Sequence, residues 1–212
     1  MYRTFVYALL TMVVAGSCLL EYCGARLLSS LPASKQNRVA AASLVICALA
    51  LAIFRTNMVV TNCCVLVAAL VAGTLLARQI GSVGALTAML IVAAIVDVIS
   101  TYAGPSRWLI NQAQHARGVT VLQFLAVSLR LQGRLVAVIG GADLMFFTAC
   151  VSALRRLGWP ETPALVVPLV ALLTALGVGL FAGFTPALPF LAAAVLLYAY
   201  APHPWQQRPC QG

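Results

Sequence analysis

The sequence predicts an all-α polytopic membrane protein, a single domain over residues 1–212 built as a bundle of about seven transmembrane helices. Composition predicts it first: 63% of the 212 residues are hydrophobic and only 8% are charged, with a mean hydropathy of +1.02. A soluble globule of this size needs more polar surface than that. Segmentation predicts it second, because the apolar residues form runs of membrane-crossing length with most of the charge between them. The third observation is that the only two aspartates, Asp97 and Asp143, interrupt such runs.

The same numbers exclude other classes. A net charge of +9 belongs to loops that meet lipid headgroups, not to a nucleic-acid face. The seven cysteines form no CxxC and no ligand spacing with the two histidines, so neither a metal site nor a disulfide framework is read from them.

Phe5 to Tyr22 is the first span, behind Arg3. A cleaved signal or lipoprotein sequence fits it less well, because the apolar run continues past Cys18 and lacks a leucine three places before that cysteine. Glu21, near the end of this span, is expected to snorkel to the interface. Ser29 to Arg38 reads as a polar loop outside the membrane. Spans two and three are Val39 to Phe54 and Met58 to Ala77, with a tight turn at Arg55 and Asn57. The fourth, Gly81 to Tyr102, carries Asp97 and is stopped by Gly104 and Pro105, since proline cannot continue the hydrogen-bond ladder.

Ser106 to Arg134 mixes Arg107, Arg117, Arg130 and Arg134 with Trp108, Leu122 and Phe124, and is read as an amphipathic basic connection on the membrane surface. The fifth span, Leu135 to Leu154, carries Asp143 after Gly140, Gly141 and Ala142 and is closed by Arg155 and Arg156. Pro163 to Phe181 and Thr185 to Tyr200 are the sixth and seventh. The basic residues divide almost evenly between the two sides, so their distribution does not choose an orientation.

A carboxylate in lipid costs about 2.5 to 3.5 kcal/mol on insertion scales, so each aspartate needs a partner, a water pocket or a task. Counted from their shared connection, Asp97 and Asp143 are expected roughly 8 and 12 Å deep. Two carboxylates at comparable depth on consecutive helices suit a shared site. Such a pair does not ionise twice cheaply and holds one proton, so one member activates water while the other protonates a peptide carbonyl. That chemistry requires neither metal nor cofactor. Gly140, Gly141 and Ala142 give a thin helix face for close backbone approach. Pro186, Ala187, Leu188 and Pro189 free backbone groups at the head of the seventh span, either as a plain helix start or to hold an extended substrate strand.

These residues carry a resemblance to the presenilin and signal peptide peptidase family of intramembrane aspartyl proteases, marked by YD, GxGD and PAL motifs on three helices in that order. Here the motifs are Val96-Asp97, then Gly140-Gly141-Ala142-Asp143, then Pro186-Ala187-Leu188, with Pro189 completing the PALP form of presenilins. Gly104, Pro105, Arg107, Leu109, Ala113 and Gln114 after Asp97 are also similar to presenilins. The similarity covers roughly residue 95 to the C-terminus. Val96 replaces the family tyrosine and Ala142 the second glycine. Against the family's nine spans, the chain looks like the last seven.

The resemblance implies catalytic roles for Asp97 and Asp143, with Gly140, Gly141, Ala142 and Pro186 to Pro189 shaping the site. It also implies transmembrane proteins as substrates within the lipid bilayer, and no cofactor. Two other classes fit the same features less well. One is a catalytically silent relative that binds transmembrane helices, argued from the two substituted positions. The other is an ion or proton transporter or channel, which would favour an internal repeat or further polar residues along a path.

Overall fold

The computed structural model describes residues 2–54, 57–104, 122–131, 134–182 and 185–201. Four long helices come first: α1 (Tyr2–Ser29), α2 (Ala33–Phe54), α3 (Met58–Gln79) and α4 (Val83–Ala103). They fall on the first four expected spans, and α2 begins six residues earlier than the sequence loop allowed, at Ala33 rather than at Val39 after Arg38. Their boundaries have local causes. The Asn57 side chain accepts from the Val59 and Val60 N–H groups at the start of α3 (3.0 and 3.3 Å), and the Ser82 hydroxyl accepts from Ala85 N–H at the start of α4 (3.1 Å). Gly104 closes α4 with its N–H on Ser100 O.

The fifth span is where the structure departs from the sequence reading. A short helix α5 (Leu122–Leu125) leads into strand β1 (Ala126–Leu131), which pairs antiparallel with β2 (Arg134–Gly140); only then does helix α6 (Gly141–Arg156) begin. The expected helix over 135–154 is thus a strand followed by a helix. The expected surface connection over 106–134 instead contains the first strand of a hairpin, and its parts over 106–121 and 132–133 lie outside the described residues. Leu135, Val136, Val138 and Ile139 are as apolar in a strand as in a helix, and pairing with β1 satisfies the backbone of alternate residues. The ladder runs from Ala126 opposite Gly140 to Leu131 opposite Arg134, with a bulge at Val127/Ser128.

Helices α7 (Glu161–Ala182) and α8 (Leu188–Tyr200) complete the bundle. Gly158, with φ +84°, makes the turn after α6 in a conformation that suits glycine. Helices α1 to α4 and α7 are long and apolar enough to cross a membrane, while α8 is a shorter apolar helix. The fold is therefore a multi-pass helical membrane bundle with a β-hairpin set into it.

Helix α6 is its hub. Leu144, Phe147 and Val151 pack with Val14 and Cys18 of α1, Val65 and Ala69 of α3 and Val127 and Ile139 of the hairpin. Cys150, Ala153 and Leu154 pack with Leu86, Leu90 and Ala93 of α4 and Leu191 and Val195 of α8. Gly73 of α3 permits a close approach to α6, because a Cβ there would stand 2.5 Å from Met145 O and 2.7 Å from Thr148 Cβ. Helix α2 lies outermost, with only Ala40 buried. Away from the hairpin, Arg155 bonds Glu161 at 3.0 Å, Arg156 donates to Ala77 O, and Arg78 donates to Gln36 and Asn37.

Candidate active site

Asp97 stands six residues before the end of α4, half-buried. Its Oδ2 accepts the Leu188 N–H at 3.0 Å. The Thr101 hydroxyl and the Ala187 N–H lie beside the same carboxylate. Leu188 is the first residue of α8, so the aspartate sits where free N–H groups and the positive end of the helix dipole favour an anion. The Pro186-Ala187-Leu188-Pro189 segment therefore does not merely start a helix. Pro186 and Leu188 are buried, Ala187 and Pro189 half-buried, and the backbone between them faces the Asp97 carboxylate.

Asp143 is the third residue of α6, and its Oδ2 accepts the Gly140 N–H at 3.2 Å. This is half of a capping box, because Gly140 has no side chain to return the bond. The sequence reading placed Asp143 eight residues into a helix; it stands in the first turn. Strand β2 accounts for the remaining depth, which brings Asp143 near Asp97 although the two lie differently along their helices. The carboxylates are close enough to interact electrostatically.

The glycines before Asp143 differ in what they make room for. A Cβ on Gly140 would lie 2.8 Å from Asp143 Oδ2, so glycine here leaves space for the carboxylate. A Cβ on Gly141 would lie 3.0 Å from Leu125 O and 3.3 Å from Val65 Cγ1, so here the neighbouring backbone approaches. Ala142 is exposed and Val96 is 58% exposed. Both positions that differ from the family pattern thus have open surroundings. The thin face expected over 140–142 reduces to Gly140 and Gly141.

Four polar residues near the site escaped the sequence reading. Glu21 does not snorkel: it is 2% exposed and accepts the Thr148 hydroxyl of α6 at 2.7 Å. Cys18, one turn earlier on α1, lies within electrostatic reach of Glu21 and Asp143. Thr101 is one turn after Asp97 on the same helix face, a spacing that marks it as a partner. Asn62 of α3 bonds the backbone of Ser128 in β1. No family model, no curated protein and no solved structure matches the chain.

Proposed function

We propose that the chain is an intramembrane aspartyl endopeptidase of the presenilin and signal peptide peptidase kind, which hydrolyses peptide bonds in or near transmembrane segments of other membrane proteins. The observation that carries this reading is the 3.0 Å bond from Leu188 N–H to Asp97, which ties the third motif to the first while Asp143 of the second lies within electrostatic reach. Three motifs far apart in sequence meet around two carboxylates.

Hydrogen bonds to a carboxylate favour its charged form, and Asp97 accepts the Leu188 N–H with the Thr101 hydroxyl and the Ala187 N–H beside it, where Asp143 accepts the Gly140 N–H. We therefore assign Asp97 as the base and Asp143 as the holder of the shared proton. Asp97 takes a proton from water as the oxygen attacks the peptide carbon, and Asp143 gives its proton to the carbonyl oxygen. When the gem-diol collapses, Asp143 recovers a proton from a hydroxyl. The C–N bond then breaks, and the proton on Asp97 passes to the leaving nitrogen. Neither a metal nor a covalent intermediate enters. The β-hairpin supports the reading too, since an extended substrate backbone laid along it is led towards Gly140 and Asp143.

The test uses purified protein in lipid bilayers with a panel of single-span substrates and a transition-state-mimicking aspartyl protease inhibitor. Cleavage that the inhibitor abolishes is expected. Neither cleavage nor inhibitor binding would favour the silent, helix-binding alternative.

A further inference from the structure

Glu21 of α1 is buried in the bundle at 2% exposure, and its Oε2 accepts the Thr148 hydroxyl of α6 at 2.7 Å. A carboxyl group opposite a neutral hydroxyl is costly to keep out of water. The cations near this end of the two helices do not offset that cost, since Arg26 and Arg155 both reach Glu161, at 3.9 and 3.0 Å. An apolar side chain of similar length would fill the same space more cheaply, so packing does not account for the acid. Its surroundings point to another task. Cys18, one turn before Glu21, lies within electrostatic reach of Glu21 and of Asp143. Thr148 follows Asp143 by five residues, about 7.5 Å along α6. With Glu161 shared at their ends, α1 and α6 run side by side in the same direction away from the site. Thr148 is gripped on a second side by α3, where a Cβ on Gly73 would stand 2.7 Å from Thr148 Cβ.

We propose that Glu21 is a positioning residue for Asp143: its bond to Thr148 fixes the depth and the rotation at which α6 presents that carboxylate. This rests on the protease reading above and adds to it a support for the second aspartate from α1. The contacts of Leu144, Phe147 and Val151 with α1 and α3 are apolar and carry no direction, so they let a helix slide or turn. A hydrogen bond has a preferred angle and does not. Asp143 needs that restraint because it stands in the first turn of α6, directly after a strand, and helix ends fray. Arg155 and Arg156 tie α6 only at its far end; Thr148 ties it close to the site.

The experiment compares wild type, Glu21→Gln, Glu21→Leu and the double variant Glu21→Leu with Thr148→Val in lipid bilayers, reading kcat and KM on a single-span substrate and the melting transition. Glutamine keeps an oxygen that accepts the Thr148 hydroxyl, so Glu21→Gln should cleave at near wild-type rate. Both leucine variants should melt no earlier than wild type yet lose roughly 10²-fold in kcat, with KM unchanged. The double variant replaces both partners and leaves neither unpaired, which covers the case in which Glu21→Leu alone fails to fold. Wild-type kcat in the leucine variants would overturn the positioning, and so would a kcat that falls only in step with the folded fraction. If Glu21→Gln were as slow as the leucine variants, the acid and not its bond to Thr148 would be what counts, and the proposal would fail. A second readout is independent of cleavage. In a chain whose native cysteines are replaced, a short bifunctional thiol reagent links Asp97→Cys to Asp143→Cys, and Glu21→Leu should slow that link. A wild type that cleaves nothing would overturn the protease reading; the link then decides on the positioning, which an unchanged linking rate would overturn.

Discussion

At Asp97 the carboxylate meets donors from its own helix and from the start of α8; at Asp143 it meets the amide of Gly140 three residues back. Two substitutions separate these supports. Thr101→Val removes one hydroxyl at nearly constant volume from a buried position, so cleavage should fall about tenfold with little change in thermal stability. An unchanged rate would show that the hydroxyl does not serve Asp97. Gly140→Ala places a methyl group 2.8 Å from Asp143 Oδ2. The carboxylate end can swing aside, so the protein should fold, but displacing the proposed proton holder should cost roughly 10²-fold in turnover. Ala142→Gly alters an exposed side chain and should shift stability by no more than about 1 kcal/mol. Unfolding in that variant would mean that the alanine packs against something after all.

At the scale of elements, α6 works because it begins late and packs closely. Gly73 lets α3 approach the backbone of α6 at Met145, and Gly73→Ala would press a methyl against a carbonyl that has no rotamer with which to yield. A loss of roughly 1 to 3 kcal/mol is expected from such overpacking, visible as an earlier melting transition. An unchanged melting temperature would contradict the close contact. The late start of α6 is also what sequence reasoning missed. The long spans were legible because runs of about twenty apolar residues have few other outcomes in a bilayer. Leu135 to Gly140 was not, because an apolar strand and an apolar helix turn look alike until the partner strand is known. Gly133, between two matched runs, was the available hairpin signal. Asp97, Asp143 and the Pro186 to Leu188 segment were readable as chemistry that lipid does not tolerate idly. Glu21 and Asn62 were not, since their meaning lies in Thr148 and Ser128, more than sixty residues away.

For the whole molecule, both helices that open at the candidate site are short. Helix α6 has 16 residues and α8 has 13, about 24 and 20 Å, against a hydrocarbon core of about 30 Å. Each therefore begins within the membrane or at its edge, with a strand or a proline-containing segment before it. Non-helical backbone at that depth persists where it is buried in protein or lines a wet cavity. The bundle should therefore admit water to the start of α6. In a variant otherwise free of cysteine, Ala142→Cys should react in bilayers with a membrane-impermeant, water-soluble thiol reagent. Reaction only with lipid-soluble reagents would contradict a hydrated site. That Asp97 and Asp143 form one catalytic pair is tested most directly by the cleavage rates of Asp97→Asn and Asp143→Asn in lipid, with wild-type melting as the folding control. Each folded variant should lose turnover by at least roughly 10²-fold; near wild-type cleavage in either would contradict the pair.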